Sequence, residues 1–483
     1  MSVIRVLVIC LLSLNATAQI TNSDSAIVAA DTVIKHADTS KVTIRNIFIL
    51  GNKKTREYII RREIPFTEGT TMEAGKLIPM LERARETVYN TQLFLEVKPQ
   101  IKNWKDGYVD IAFEVRERWY LFPLPYFKLV DRNLNQWFVE QKASLKRVNY
   151  GLKFSLYNVS GRNDKLKVYI VSGYTRQYSF SYEQPFADKK LKNGFSIGFS
   201  FSQNRQVNHL TDFNKQIFFP ESNDNNILGI LKQQVKVDLG YSFRPDIYNR
   251  HNVRLSFFDE KVNDTIVKLN PDYFLNGKTR QTFPELAYNY SYTNVDTIAY
   301  PLRGVMLGFG LTQKGLGLSR GMNLWQLDVN AAKYIAVGKK DYFAFQLYGK
   351  LKVPFNQPYY NLRAIGYNDF YLQGLEDYVV DGVASAITKV TYRRKIFQTS
   401  VGTAIHKKGD YYRIPIKVYF KTYTNLGYSY LRNPVDNLLN NKLIYTEGVG
   451  LDIITFYDFQ LKLEFSFNQL GQNGLFLHTQ KDL

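Results

Sequence analysis

Cysteine is almost absent from this chain of 483 residues, because Cys10 is the only one. Cys10 lies in an apolar segment near the N-terminus, and no other thiol follows it. Disulfides, thiolate metal sites and cysteine nucleophiles are therefore excluded from the rest of the chain. Long apolar runs are absent too. Beyond the N-terminal segment, no stretch reaches the roughly 20 residues that a transmembrane helix needs.

The N-terminal segment has the features of a secretory signal. Arg5 supplies the positive start, residues 6–14 the short apolar stretch, and residues 16–18 (Ala-Thr-Ala) the small-residue cleavage site. We therefore predict a signal peptide at residues 1–18. The segment that follows is rich in Ser, Thr, Asp and Ala without a sustained period, which predicts a linker at residues 19–41.

Acidic residues are in deficit: 43 Asp and Glu stand against 63 Lys and Arg, a formal charge of +20. Basic surfaces can bind nucleic acid through its phosphates. Here the cations are dispersed along a chain that carries an export signal, so no nucleic-acid partner is expected. These cations are expected either to face lipid phosphates at the bilayer surface or to line a basic barrel lumen.

Alternation of apolar side chains with small or polar ones is the dominant pattern. The apolar members of five such segments are Phe195, Ile197, Phe199 and Phe201; Val235, Val237, Leu239 and Tyr241; Phe343, Phe345 and Leu347; Ile414, Ile416, Val418 and Phe420; and Leu461, Leu463, Phe465 and Phe467. Side chains on a strand alternate between its two faces, so each segment has one apolar face. Over most of an exported chain, this pattern predicts a membrane barrel with an apolar outside and a wet inside.

Residues 42–118 have a different, mixed pattern. The order is strand, helix, helix, strand, strand, with a hairpin turn at residues 106–107 (Asp-Gly). This order predicts a small α+β domain. Helical and strand periodicity predict Leu81, Val88, Val97 and Phe113 in its core.

Residues 119–483 show no further helical period. Sixteen alternating segments can be counted, the first at 150–158, the eleventh at 359–367 and the last at 473–481. Single-chain outer-membrane barrels have an even number of strands. The predicted fold is therefore mainly β: a 16-stranded transmembrane antiparallel β-barrel at residues 119–483, preceded by one small α+β domain.

Motifs of catalysis or metal binding do not form a consistent site. Residues 317–321 (Gly-Leu-Ser-Arg-Gly) match the Gly-x-Ser-x-Gly pattern of hydrolases, but they lie in a turn between strands and not at a strand–helix elbow. The histidines lack the spacing of a local metal site. They are His36, His209, His251, His406 and His478. We predict that the chain is not an enzyme and holds no cofactor and no metal.

The small domain resembles a POTRA (polypeptide-transport-associated) repeat. The matching residues are 44–52 (Ile-Arg-Asn-Ile-Phe-Ile-Leu-Gly-Asn) and 88–97 (Val-Tyr-Asn-Thr-Gln-Leu-Phe-Leu-Glu-Val). The barrel start at 158–164 (Asn-Val-Ser-Gly-Arg-Asn-Asp) is similar to the first hairpin of Bacteroidetes-type members of the BamA/TamA outer-membrane assembly family, also called bacterial surface antigens. The resemblance spans nearly all of the chain after the signal. It implies an outer-membrane barrel with its POTRA domain in the periplasm.

The family's most diagnostic element is a Val/Leu-Arg-Gly-Phe/Tyr tetrad on a loop folded back into the lumen. Leu372, Gln373, Gly374 and Leu375 stand in the corresponding place. In the family the Arg pairs with a Glu on strand twelve and an Asp on strand thirteen, positions that align with Thr391 and Asn425. All three charged members would then be neutral here, which avoids a buried unpaired charge and keeps hydrogen-bonding capacity.

The end of the chain resembles the family's C-terminal strand, which the insertion machinery reads. Gln472, Gly474 and Leu477 match its polar-x-Gly portion, whereas the last residue, Leu483, is not aromatic as is usual.

Three functional interpretations remain open. The first is an assembly factor whose seam between the first and last barrel strands opens to template client strands, with client segments added to the POTRA sheet edge. The second is a secretion pore of the two-partner type, and the third a passive porin or lipid-handling barrel. A POTRA domain disfavours the third. The expected partners are unfolded outer-membrane or exported clients, outer-membrane lipids, and periplasmic chaperones or lipoprotein accessories.

Overall fold

The structure is a computed structural model, and it describes residues 39–129, 148–220, 229–319, 322–367, 370–402 and 413–480. The predicted signal peptide, most of the predicted linker and Leu483 lie outside these residues.

The N-terminal part is a small α+β unit. Its elements are β1 (Lys41–Leu50), α1 (Glu57–Arg61), β2 (Thr71–Glu73), α2 (Ala74–Tyr89), β3 (Phe94–Lys105) and β4 (Tyr108–Glu117). The sheet order is β2-β1-β4-β3, with β1 and β4 parallel and the other pairs antiparallel. The predicted order of elements is confirmed with one addition, β2. A three-residue strand is too short to show a period in the sequence.

The core of this unit lies between the sheet and the two helices. Leu81, Val88, Val97 and Phe113 are all buried, none more than 5% exposed. Leu81 and Val88 are seven residues apart on α2, which places them on the same helical face. The apolar faces predicted from the helical period of 3.6 and from the strand period of two therefore pack together in one layer.

Asp110, on β4, is a carboxylate held by several hydrogen bonds within this unit. It accepts hydrogen bonds from Arg45 Nε (2.9 Å), Arg45 Nη2 and Asn46 Nδ2 (2.9 Å). The Arg45 guanidinium lowers the pKa of Asp110 to about 2, against an ordinary value of about 3.9. A depressed carboxyl pKa stabilises the fold above the unfolded-state value, and this contribution disappears as the pH falls through the folded-state value.

We therefore expect Asp110→Asn to destabilise the unit by a constant amount above about pH 4, and by less and less between there and pH 2. Urea denaturation of both proteins over a pH series measures this. A difference that stays constant across that window would contradict the assignment.

The remainder of the chain forms one large sheet and its connections. Its elements, in chain order, are β5 (Leu121–Leu129), β6 (Val148–Tyr157), β7 (Lys165–Gly173), β8 (Arg176–Gln184), β9 (Asn193–Asn204), β10 (Val207–Asp212), β11 (Lys215–Phe219), β12 (Lys232–Phe243), β13 (Asn249–Val262), α3 (Asp264–Leu269), β14 (Arg280–Val295), β15 (Gly304–Lys314), β16 (Leu324–Ala336), β17 (Asp341–Val353), β18 (Arg363–Ile365), β19 (Val380–Asp381), β20 (Ala384–Gly402), β21 (Arg413–Tyr430), β22 (Ile444–Ile454), β23 (Gln460–Asn468) and β24 (Asn473–Gln480). Sixteen of these strands, β5–β9, β12–β17 and β20–β24, form a single antiparallel sheet. None of the helices in the described residues is long and apolar enough to cross a membrane.

The predicted number of barrel strands is confirmed, although two assignments were wrong and cancel. The segment 359–367 holds a 3-10 helix (Tyr359–Asn361) and the short β18 instead of a wall strand. The missed strand is β5, which contains Pro123 and Pro125. Proline cannot donate to a ladder, so it argues against a central strand but is tolerated at a sheet edge. β5 is an edge of this sheet.

The alternation has the predicted sense. Phe199 on β9 and Val237 on β12 are paired neighbours, and both are exposed on the outer surface of the barrel. The residues that alternate with these on the same two strands, such as Ser200 on β9 and Lys236 on β12, face the lumen. This apolar exterior is what a bilayer requires.

The end of the barrel opposite the α+β unit is covered by its long connections. The β10–β11 hairpin, α3 and the segment after β17 share one apolar cluster, which includes Val207, Ile266, Tyr273, Phe274 and Tyr359. Asn214, in the hairpin turn, is buried and bonds to Asn440 (3.2 Å) and to the Val379 carbonyl (3.2 Å).

Candidate functional site: the seam, the lumen loop and the docked domain

The sheet has two edge strands, β5 and β24. In the described residues, β5 forms a ladder with β6 alone and β24 forms one with β23 alone. Edge strands carry unpaired N–H and C=O groups that can pair with another chain. The seam between β5 and β24 is therefore the candidate site for strand addition.

The α+β unit is docked against turns at one end of the barrel through a buried ion-pair cluster. Glu63, 1% exposed, accepts hydrogen bonds from Nη1 and Nη2 of Arg244, both at 2.7 Å, and from Arg62 Nη1 at 2.9 Å. Arg62 also donates to the Leu191 carbonyl (2.7 Å). Burial, followed by repulsion from Arg244, lowers the pKa of Arg62. The carboxylate thus holds two like charges together, one from each part of the chain.

Further contacts join the unit to other turns at the same end. Asn90 donates to the Val295 carbonyl (2.8 Å), and Tyr89 donates to Asp458 (2.8 Å). Arg118 also binds Asp458. Asp458 lies in the turn between β22 and β23, so the domain contacts the turn that leads into the last hairpin of the barrel.

The predicted tetrad lies on a loop inside the barrel, here called the lumen loop (residues 370–379). Leu372 and Leu375 are buried in an apolar cluster with Ile387 of β20 and Ile444 of β22. Gly374 has a φ of +91°. Its carbonyl accepts a hydrogen bond from Asn468 at the end of β23 (2.8 Å).

The partner of Gln373 differs from the predicted one. Gln373 Nε2 donates to Glu464 Oε1 on β23 (3.1 Å). Thr391 and Asn425 are buried on β20 and β21, and Asn425 donates to Thr446 (3.0 Å). Among the hydrogen bonds of the described residues, none joins Gln373 to Thr391 or Asn425. The neutral trio predicted by alignment is thus not a contact network, because a charged residue two strands further on takes the place of the partner.

Glu464 is the centre of a network that was not predicted from the sequence. Besides Gln373, its carboxylate accepts from Lys421 of β21 and from His478 Nδ1 of β24 (2.6 Å). Lys421 also pairs with Asp452 of β22 (2.6 Å). A signal was present in the sequence: Leu463 and Phe465 face outward, so the alternation places Glu464 in the lumen.

Glu376, Glu464 and His478 bring three donor atoms within 4.8 Å of one another. Carboxylate and imidazole groups in this arrangement could hold a divalent cation. Lysines already compensate these acids, however. Lys421 binds Glu464. Lys389 is attracted electrostatically by both Glu464 and Glu376. The geometry therefore allows a metal, but the electrostatics oppose one.

The remaining predicted residues have separate surroundings. Gln472 Nε2, in the β23–β24 turn, donates to the Tyr378 hydroxyl of the lumen loop (2.8 Å). Gly474 pairs with Ser466, and Leu477 is 61% exposed on the outer face of β24. Of the hydrolase-like pattern, residues 320–321 lie outside the described residues. Ser319 Oγ donates to the Thr282 carbonyl (3.0 Å).

We expect Gly374→Ala to loosen the lumen loop. The new Cβ would sit in a left-handed conformation and only 3.0 Å from Ser466 Cβ, a cost of about 1–3 kcal/mol. Gly317→Ala is the matched control, since its φ is +70° and a Cβ there meets nothing within 4 Å. The measurement is the temperature at which the barrel band shifts in detergent gels. Equal shifts for both variants would show that the Ser466 contact is unimportant.

The geometry defines a class of protein: a 16-stranded barrel with an apolar exterior, a loop inserted into its lumen and a small α+β domain docked beneath it. A sequence model of the Omp85 superfamily domain matches residues 158–455, and one of the POTRA type, described as the surface antigen variable number repeat, matches residues 42–118. The first match covers more than half of the chain, so the chain belongs to the Omp85 superfamily. It is an outer-membrane protein whose POTRA domain at residues 42–118 lies in the periplasm, and the predicted family is confirmed.

Individual relatives are distant. The outer membrane protein assembly factor BamA of Nitratidesulfovibrio vulgaris is 33% identical over 78 residues, which is 16% of this chain and 10% of that protein. CdiB from Escherichia coli has the same fold with a TM-score of 0.50 and 10% identity, over 91% of this chain and 75% of that one. BamA from Haemophilus ducreyi lacking POTRA domains 1–3 gives a TM-score of 0.47 and 14% identity, over 91% and 84%.

Proposed function

We propose that this protein assists the insertion or translocation of client polypeptides at the outer membrane. The observation that carries the proposal is the seam: β5 and β24 each have one ladder partner in the described residues, in a barrel whose other strands have two. A client strand can pair with such an edge through main-chain hydrogen bonds, which are available to any sequence. The relative named as an assembly factor supports this interpretation.

The POTRA domain offers a second edge for client capture. Its sheet ends in β2, of three residues, and β3, of twelve. The longer β3 edge suits the addition of an extended segment, with Pro99 limiting the continuous ladder. Docking of this domain under the barrel through Glu63 and Arg244 would deliver a bound segment close to the seam.

The proposal assigns no catalysis and no cofactor, since clients would be bound and positioned only. Its partners are unfolded outer-membrane or exported proteins, together with the lipids that cover the apolar exterior. Periplasmic chaperones or lipoproteins would act as accessories. A two-partner secretion pore is the second candidate, because a barrel with a POTRA domain suits both roles.

The test is reconstitution of the full chain into liposomes with a urea-denatured outer-membrane barrel as client. We expect the client to acquire its heat-modifiable, protease-resistant form at least tenfold faster than in empty liposomes. Passage of a soluble exported chain into the liposome interior, without faster barrel folding, would favour the secretion pore. If neither occurs, the proposed function is wrong.

A further inference from the structure

The last strand, β24, has one backbone partner in the described residues and therefore depends on its side chains for further support. It pairs with β23 from Gln460–Gln480 to Phe467–Asn473. Its outward side chains Leu475 and Leu477 are 72% and 61% exposed. A strand held along one side frays more readily than a strand held along both.

His478 is the side chain through which β24 is attached to the interior. Its Nδ1 donates to Glu464 Oε2 at 2.6 Å, and its Nε2 lies 3.5 Å from Glu376 Oε1 of the lumen loop. The ring also packs against Tyr371 of the same loop, with centroids 5.7 Å apart. Glu464 is 1% exposed, and hydrogen bonds to a buried carboxylate are stronger than those in water.

The lumen loop is held by the same hairpin from the other side. Gln373 donates to Glu464, Asn468 donates to the Gly374 carbonyl, and Gln472 donates to Tyr378. Glu464 therefore receives one hydrogen bond from the loop and one from the last strand. Lys421, Lys389 and Lys462 are the cations around it, with Asp452 as the further acid.

We propose that His478 is a positioning residue, which ties the edge strand β24 to the lumen loop through Glu464 and Glu376 and so holds its free edge extended for a client strand. This role of His478 rests on the proposed function, because an extended edge of β24 matters only if client strands pair with it. The loop then acts as an inner brace for one of the two edge strands with which a client can pair. Removal of the brace lowers client pairing and leaves the barrel wall intact.

The experiment captures a client strand at the seam. The full chain carries a photo-reactive phenylalanine analogue at position 475 and is reconstituted in liposomes with a urea-denatured barrel client. We expect His478→Leu to reduce the photo-adduct at least fivefold, and His478→Gln, which keeps a donor for Glu464, to retain at least half. His251→Leu is the control, because His251 bonds to Tyr288 on a distant part of the wall. All variants should keep the heat-modifiable band.

A rescue separates positioning from folding. In Glu376→Cys/His478→Cys, a short bifunctional thiol reagent should restore capture by re-joining loop and strand; Cys10 is the sole native cysteine and lies in the predicted signal. The proposed role of His478 would be wrong if His478→Leu gave as much client photo-adduct as wild type. It would also be wrong if cross-linking of the double-cysteine variant did not increase the photo-adduct. Absence of any wild-type adduct would instead argue against the proposed function.

Discussion

Glu63→Ala should release the POTRA domain from the barrel. Glu63 is 1% exposed and is bound by Arg244 and Arg62. Its removal leaves two guanidinium groups facing each other without a counter-charge. Removing one partner of a buried pair costs about 3–5 kcal/mol, which raises the undocked population at least a hundredfold. Spin labels at Lys76 and Lys189, both exposed, would show a broad distance distribution in place of a narrow one.

Glu57→Ala is the matched control for that result. Glu57 is the first residue of α1, a helix that ends two residues before Glu63, and its pair with Arg61 is exposed, at 52% and 37%. Surface pairs of this kind contribute about 0.5 kcal/mol or less. The narrow distance distribution should therefore survive. A narrow distribution in Glu63→Ala as well would mean that the contacts of Asn90 and Asp458 suffice for docking.

Phe113→Asp should unfold the POTRA domain and leave the barrel in place. Phe113 is completely buried between the sheet and helix α2, so the substitution leaves a cavity and an unpaired charge. A loss of at least about 4 kcal/mol is expected, which is a large part of the stability of a small domain. Limited proteolysis of the full chain should remove the N-terminal domain, whereas the heat-modifiable barrel band persists.

Phe48→Asp tests whether unfolding requires that the new charge lie on the buried face of the POTRA sheet. Phe48 lies opposite Ala112 on the neighbouring strand and is 47% exposed, on the other face of the sheet from Phe113. We expect resistance to protease close to wild type. If the two variants are cleaved equally, the assignment of the faces is wrong.

The local periods of the sequence determined most of the fold. Alternation identified the lipid-facing side chains, such as Phe199 and Val237, and the helical period identified Leu81 and Val88 as core. These patterns can be recognised in the sequence because each depends only on neighbouring residues of one strand or helix and on which face is apolar. The role of the tetrad that includes Leu372 and Gly374 stays a prediction from the resemblance.

What the tertiary structure decided are the pairings between distant segments. Gln373 meets Glu464, 91 residues away, and Glu63 meets Arg244, 181 residues away. β5 was hidden because its prolines are tolerable only at an edge, and edges exist only once the sheet has formed. His478 looked isolated in the sequence for a similar reason. A barrel brings together inward side chains of strands and loops far apart in the chain, and the burial that makes their contacts strong arises only when the wall encloses them.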